Sequence, residues 1–147
     1  MRYHKKFQHF KPDALTITKT LLRDWGNSSD DLKWLKMNAW LTRAAELYGI
    51  PRPNLVKDLS AGFGCYQPTQ HKIRMSKPSV ITLLHEFRHA LQNHRRATGF
   101  NYDPIEVEPD ARAWSLSLYY KVAPRSFRRL VANGSIFHIS VNDLTRG

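Results

Sequence analysis

Residues 79–91 read SVITLLHEFRHAL, and this stretch decides the fold. Its apolar side chains recur at three- and four-residue spacing, which is typical of a helix with one buried face. The predicted buried stripe consists of Val80, Leu84, Phe87 and Leu91. A helix start precedes it at residues 76–79, where a hydroxyl side chain can cap the helix and a proline lies in the first turn. The pattern predicts one helix that ends near residue 96.

This helix carries two histidines four residues apart, His85 and His89, with Glu86 between them. Residues at that spacing lie one turn apart on one face of a helix, so two imidazoles can bind a single zinc ion at about 2.0–2.1 Å each. Glu86 is rotated by about 100° from His85, because an α-helix has 3.6 residues per turn. Glu86 is therefore placed to reach a water molecule rather than to bind the metal beside both histidines.

The predicted chemistry is hydrolysis of a peptide bond. Zinc lowers the pKa of its water towards ~7 and polarises the carbonyl. We expect Glu86 to take a proton from the water as general base and to return it to the leaving amine. Candidate hydrogen-bond donors to the oxyanion are Tyr66, Tyr102 and Tyr119. The alternative interpretation is a helix with two surface histidines and a glutamate.

A catalytic zinc site also needs a third protein ligand. The candidates are Glu106, Glu108, Asp110, His94, His71 and His138. His94 lies about 140° around the helix from His89, so it is expected to point away from the metal. The acids of residues 106–110 begin a second amphipathic helix that can pack beside the first. The helix dipole favours acids at such a position without any metal, and both Glu108 and Asp110 stay open as the ligand.

The rest of the chain predicts an α+β fold in a single domain, residues 1–147, with N-terminal helices, a short sheet and two further helices. The predicted elements are a basic arm at 1–13, helices at 15–25 and 30–48, a strand at 55–59, a hairpin at 63–75, a helix after Pro109 that Pro124 ends, a short helix at 125–132 and a strand or extended tail at 136–141.

Composition narrows the functional classes. Cys65 is the only cysteine, so neither an intrachain disulfide nor a cysteine-based zinc cluster can form within one chain. The basic N-terminus has no apolar run behind it, and no stretch approaches the ~20 apolar residues of a membrane span, so we expect a cytoplasmic protein without a membrane partner. The formal charge of +11 favours binding of nucleic acid, an anionic surface or an acidic substrate. The alternative is that these charges form a solvated surface without a binding role.

Residues 62–124 resemble the gluzincin metallopeptidases, and in particular the minigluzincins and the ImmA/IrrE-like peptidases. The resemblance lies in the hairpin, in the H-E-x-x-H helix and in the stretch EPDARAWS, residues 108–115. It implies a catalytic core at 62–124, one Zn²⁺ per chain and Glu108 as the third ligand. It also implies that His71, Ile73 and Met75 lie on the edge strand of the hairpin and bind the substrate main chain by strand addition.

The chain departs from the family pattern at three positions. Arg112 replaces an acid or amide four residues after Glu108, and Arg88 replaces a glycine. Pro109 disfavours helical φ/ψ at the residue before it, so Glu108 is expected at the N-cap and Asp110 becomes a rival ligand.

The sequence thus predicts a zinc-dependent endopeptidase that acts on protein or peptide substrates with Glu86 as general base. The alternative is a basic nucleic-acid-associated regulatory protein whose zinc site is structural or vestigial.

Overall fold

A computed structural model of the chain describes residues 10–97, 99 and 103–134. Within these residues the fold is α+β, as predicted. Its helices are α1 (Pro12–Leu22), α2 (Asp30–Tyr48), α3 (Val80–Ala97), α4 (Val107–Val122) and α5 (Pro124–Ala132), and its strands are β1 (Asn54–Lys57), β2 (Cys65–Gln67) and β3 (Lys72–Met75). The residues predicted as a C-terminal strand, 136–141, lie outside the described part, as do most of the predicted basic arm, His138 and Tyr102.

The two N-terminal helices begin and end at local sequence signals. Pro12 opens α1 in the first turn, where its missing N–H removes no hydrogen bond. The prediction of a loose arm is therefore wrong for its last two residues, which are helical. Ser29 caps α2 by accepting a hydrogen bond from the Leu32 N–H at 3.2 Å. Gly49 ends α2 with a φ of 67°, a left-handed conformation that glycine adopts without strain.

The sheet has the order β1-β3-β2, with β1 parallel to β3 and β2 antiparallel to it. The predicted hairpin of β2 and β3 is confirmed, but the prediction that its second strand is an edge strand is wrong. β1 pairs along the other side of β3, so β3 is central and both of its backbone edges are occupied. Ile73 and Met75 are fully buried on its core face. A substrate strand therefore cannot add to residues 71–75.

The start of the hairpin lies close to α3. Gly64 has a φ of 140°, and a Cβ placed there would be 2.5 Å from Cγ2 of Thr82 and 3.1 Å from the Arg74 carbonyl oxygen. Only glycine fits this position without a shift of its neighbours. The absent side chain thus lets the residues before β2 approach the helix that carries the histidines.

The hydrophobic core joins the N-terminal helices to the helices of the predicted catalytic core. Phe87 on α3 packs edge-on against Trp40 of α2, with ring centroids 5.0 Å apart, and its centroid is 6.2 Å from that of Trp114 on α4. Phe87 and Trp114 are fully buried. Each buried side chain of this size contributes roughly 1.5–3 kcal/mol, so α2 is part of what holds α3 and α4 in place.

No helix among the described residues is long and apolar enough to cross a bilayer. The positive charges lie on several elements, with basic residues in the last turns of α1, α3, α4 and α5. Binding of nucleic acid stays a prediction.

Candidate metal centre

Helix α3 presents His85 and His89 side by side, as the four-residue spacing predicts. Ser79 caps its first turn by accepting a hydrogen bond from the Thr82 N–H at 3.3 Å. The two Nε2 atoms are 3.2 Å apart and the ring centroids 4.8 Å apart. Both imidazoles are only partly exposed, so they do not diverge into solvent.

Glu108 on α4 completes a three-membered group. Its Oε1 lies 2.8 Å from Nε2 of His89, and its Oε2 lies 3.2 Å from Nε2 of His85. Among the described residues, these three side chains form the one group whose ligand atoms lie within 4.8 Å of one another. Ligands at ~2.05 Å around a tetrahedral zinc are about 3.3 Å from each other, so two imidazoles and a carboxylate at these separations fit zinc with small adjustments.

Pro109 does not push Glu108 out of the helix, which corrects the expectation from the sequence. Glu106 is the N-cap residue, and α4 begins at Val107, so Glu108 is the second residue and Pro109 the third. The first four N–H groups of a helix have no partner within it, so a proline at the third position removes no hydrogen bond. Glu108 thus projects from the first turn of α4 towards α3, and its side chain is 61% exposed.

Asp110 lies away from the histidine cluster. Its Oδ2 accepts a hydrogen bond from Nε of Arg88 at 2.9 Å, and its Oδ1 accepts one from Nη2 of the same side chain at 3.2 Å. Both side chains are almost completely buried, at 3% exposure for Arg88 and 0% for Asp110. Asp110 therefore joins α4 to α3 through a buried ion pair. Of the two rival acids, the structure brings only Glu108 to the histidines.

The other candidate ligands lie outside this group. His71 precedes β3 with a φ of 48°, and its ring is held by the Tyr66 hydroxyl at Nδ1 (2.7 Å) and by the Pro51 carbonyl at Nε2 (2.6 Å). Since a carbonyl only accepts, Nε2 carries the hydrogen and Nδ1 accepts from the tyrosine. His71 stabilises the turn and is not placed to bind a substrate strand. His94 lies in the last turn of α3.

Glu86 is 7% exposed and lies in the same cleft as His89 and Glu108. Burial raises the pKa of its carboxyl group, because the charged form loses hydration. A charge on His89 and the nearby Tyr66 backbone N–H lower the pKa of Glu86, whereas the charge of Glu108 raises it further. A carboxylate with a raised pKa is a stronger base, which suits proton transfer near neutral pH.

The pKa of His85 is lowered, mainly because burial removes water from the charged ring. A positive charge on the neighbouring His89 lowers it further. The charge of Arg112 on α4 acts in the same direction, whereas Glu108 raises the pKa. A neutral imidazole keeps a lone pair free for a metal ion. Arg112 thus favours the neutral form of His85.

An open cleft of ≈ 360 Å³ lies beside this cluster. One wall is formed by α3, and the other by residues 64–66 and the start of α4. Tyr66 of β2 lines the cleft together with Glu86, and its backbone N–H contributes to lowering the pKa of that carboxyl group. Of the tyrosines considered as oxyanion donors, Tyr66 has its hydroxyl bonded to His71, while Tyr119 is buried against Phe127.

Sequence reasoning did not assign a role to Gln92. Its Oε1 is 2.8 Å from Nδ1 of His89, and its Nε2 is 2.7 Å from Oδ2 of Asp110. One signal was present: Arg88 and Gln92 are four residues apart, and both lie near the predicted buried stripe. Polar side chains at such positions need partners inside the protein.

Comparison with known proteins gives no matching family model, no matching curated protein and no matching solved structure.

Proposed function

We propose that this chain is a zinc-dependent endopeptidase of the gluzincin type. The observation that carries the proposal is the convergence of two imidazoles from α3 and one carboxylate from α4, with ligand atoms 2.8–3.2 Å apart, beside a second and largely buried carboxylate. Three protein ligands are the number that catalytic zinc sites use, and they leave a position for water or substrate.

His85, His89 and Glu108 would hold the metal, one ion per chain. Bound zinc supplies a Lewis acid that lowers the pKa of water and polarises a carbonyl group. Glu86 is the general base: it accepts the proton of the attacking water and delivers it to the leaving nitrogen. Its burial strengthens it for the first step, because a carboxylate with a raised pKa is a stronger base.

The cleft supports a peptide as the substrate. The outer edge of β2, which pairs with no other strand among the described residues, borders it, and such an edge can bind an extended peptide through main-chain hydrogen bonds. This edge belongs to residues 65–67, so we propose that β2 binds the substrate instead of residues 71–75, which the sequence predicted as the edge strand. Recognition of the main chain makes the enzyme tolerant of substrate sequence, and side chains such as Arg96 at the rim of the cleft add selectivity.

The test compares Glu86→Gln with Glu46→Gln, an exposed glutamate on α2, in the full chain loaded with zinc. Glu86→Gln should reduce cleavage of fluorescein-labelled casein by at least about 10²-fold, because proton transfer by a positioned base contributes this much or more. Its zinc content should stay near one per chain, whereas Glu108→Ala should lose zinc. Undiminished proteolysis by Glu86→Gln, or a wild-type chain that stays metal-free in excess zinc, refutes the proposal.

A further inference from the structure

A continuous hydrogen-bonded chain connects His89 to the buried ion pair between α3 and α4. Nδ1 of His89 is 2.8 Å from Oε1 of Gln92, and Nε2 of Gln92 donates to Asp110 at 2.7 Å and to the Val107 carbonyl oxygen at 2.9 Å. Asp110 is held in turn by the two-pronged contact with Arg88. The chain leads away from the face of His89 that meets Glu108.

The partners of Gln92 determine the orientation of its amide. Both groups next to Nε2, the Asp110 carboxylate and the Val107 carbonyl, only accept hydrogen bonds. A reversed amide would place Oε1 against two acceptors, which is unfavourable inside a protein. The amide oxygen therefore faces His89, and Nδ1 of that ring must carry the hydrogen.

We propose that Gln92 is a positioning residue that holds His89 in the Nδ1–H form, so that the lone pair of Nε2 faces His85 and Glu108. Asp110, which Arg88 holds in place, fixes the orientation of the Gln92 amide, so both residues influence the His89 ring indirectly. The inference deepens the proposed function, on which it rests, because only a metal at this site makes the free lone pair useful. The nitrogen that binds a metal is set by the hydrogen bond that the other nitrogen makes.

Burial gives the arrangement its strength. Gln92 and Asp110 are each 2% exposed, so water cannot replace a lost partner at the amide. The acceptor for His89 is also rigid, because the amide that supplies it is held by groups on a different helix. A displacement of the first turn of α4 would thus affect both Glu108 and the orientation of Gln92.

The first experiment measures the form of the ring directly. Because the Glu108 carboxylate lies 2.8 Å from Nε2 of His89 and would itself accept a hydrogen from it, long-range ¹H–¹⁵N spectra are recorded on the metal-free full chain carrying Glu108→Ala, near pH ~8.5, about two pH units above the ordinary histidine pKa. In this Glu108→Ala chain His89 should give the Nδ1–H pattern, and adding Gln92→Leu should shift the ring towards Nε2–H. An Nε2–H ring in the Glu108→Ala chain with Gln92 intact overturns the proposal.

The second experiment measures zinc affinity by competition with a chromophoric chelator. Gln92→Leu should weaken binding by about 10- to 100-fold, the usual cost of losing a partner of a metal-binding histidine. The matched control is Asn93→Leu, which removes the neighbouring amide on α3; its contact is with Tyr66 rather than with His89. Equal affinities in the two variants overturn the proposal.

A conservative variant separates positioning from packing. Gln92→Glu keeps an acceptor for His89 and should retain the Nδ1–H ring, although it gives up donation to Asp110. If its ring instead follows Gln92→Leu, the amide oxygen is not what holds the ring, and the proposal fails. The ring spectra need neither metal nor activity, so failure of the proposed function would appear in the zinc and casein measurements alone.

Discussion

Arg88→Met should be among the most destabilising single substitutions in the chain. The change leaves the Asp110 carboxylate with 0% exposed side-chain surface and without the cation that donates two hydrogen bonds to it. Breaking a buried ion pair by removing one partner costs about 3–5 kcal/mol, because a charge stays buried without compensation. The free energy of unfolding of a typical domain is about 5–15 kcal/mol, so this loss is a large fraction of the total stability.

The loss in the free energy of unfolding can be measured by urea titration followed by tryptophan fluorescence, and the change in melting temperature by a thermal melt. A chelator is present in both so that bound metal does not contribute. At roughly 2–4 °C per kcal/mol for a chain of this length, the melting temperature should fall by about 6–20 °C. Arg43→Met on α2 is the control, since Arg43 is an exposed helical arginine and its loss should change stability by about 0.5 kcal/mol or less.

The double variant Arg88→Met with Asp110→Leu distinguishes loss of charge pairing from loss of packing. Apolar replacement of both partners of a buried pair is often close to neutral, so the double variant should be more stable than Arg88→Met alone, with a coupling energy of about 2–3 kcal/mol. Purely additive effects, or a cost below about 1 kcal/mol for Arg88→Met, would show that the pair is not the buried contact described above.

Two further predictions concern the hairpin and the sheet. Gly64→Ala should cost about 1–3 kcal/mol, because the new methyl meets Thr82 and the backbone has a positive φ, whereas Gly26→Ala, which meets nothing within 4 Å, should be nearly neutral in the same urea titration. Asp58 has its pKa lowered to about 2, first by the Ser60 hydroxyl and then by Arg74, so its contribution to stability is present above its ordinary value of 3.8 and disappears as the pH falls towards 2. Asp58→Asn should therefore be less stable than wild type at neutral pH and equal to it near pH 2, and a stability difference that grows on acidification would contradict this assignment.

Local signals allowed much of the fold to be predicted from the sequence. The sequence predicts helix α2 at 30–48, from the acids Asp30 and Asp31 in its first turn and from Gly49 after its end, and the helix lies at Asp30–Tyr48. The relative positions of His85 and His89 also follow from helix geometry alone. Both depend on residues within a few positions of one another, which is the range over which sequence patterns are informative.

Contacts between distant segments could not be predicted in the same way. Nothing local to residues 71–75 indicates that β1, some 18 residues earlier, pairs along their far side, so an edge was predicted where a central strand lies. The choice between Glu108 and Asp110 likewise depends on Arg88, which takes Asp110 into the interior. The rule for residues before proline describes a steric preference, and Glu108 is helical here against it, while Pro109 itself costs the first turn of α4 no hydrogen bond.

The parallel pairing of β1 with β3 sets a lower limit on the size of an independently folding unit. A fragment that began at residue 62 would keep all the proposed ligands, yet it would expose the edge of β3 that β1 covers and the apolar surfaces that α2 covers. Such a bare strand is a template for self-association. Residues 10–61 are thus part of the scaffold of the proposed metal centre, and trimming them should give aggregation rather than a smaller folded domain.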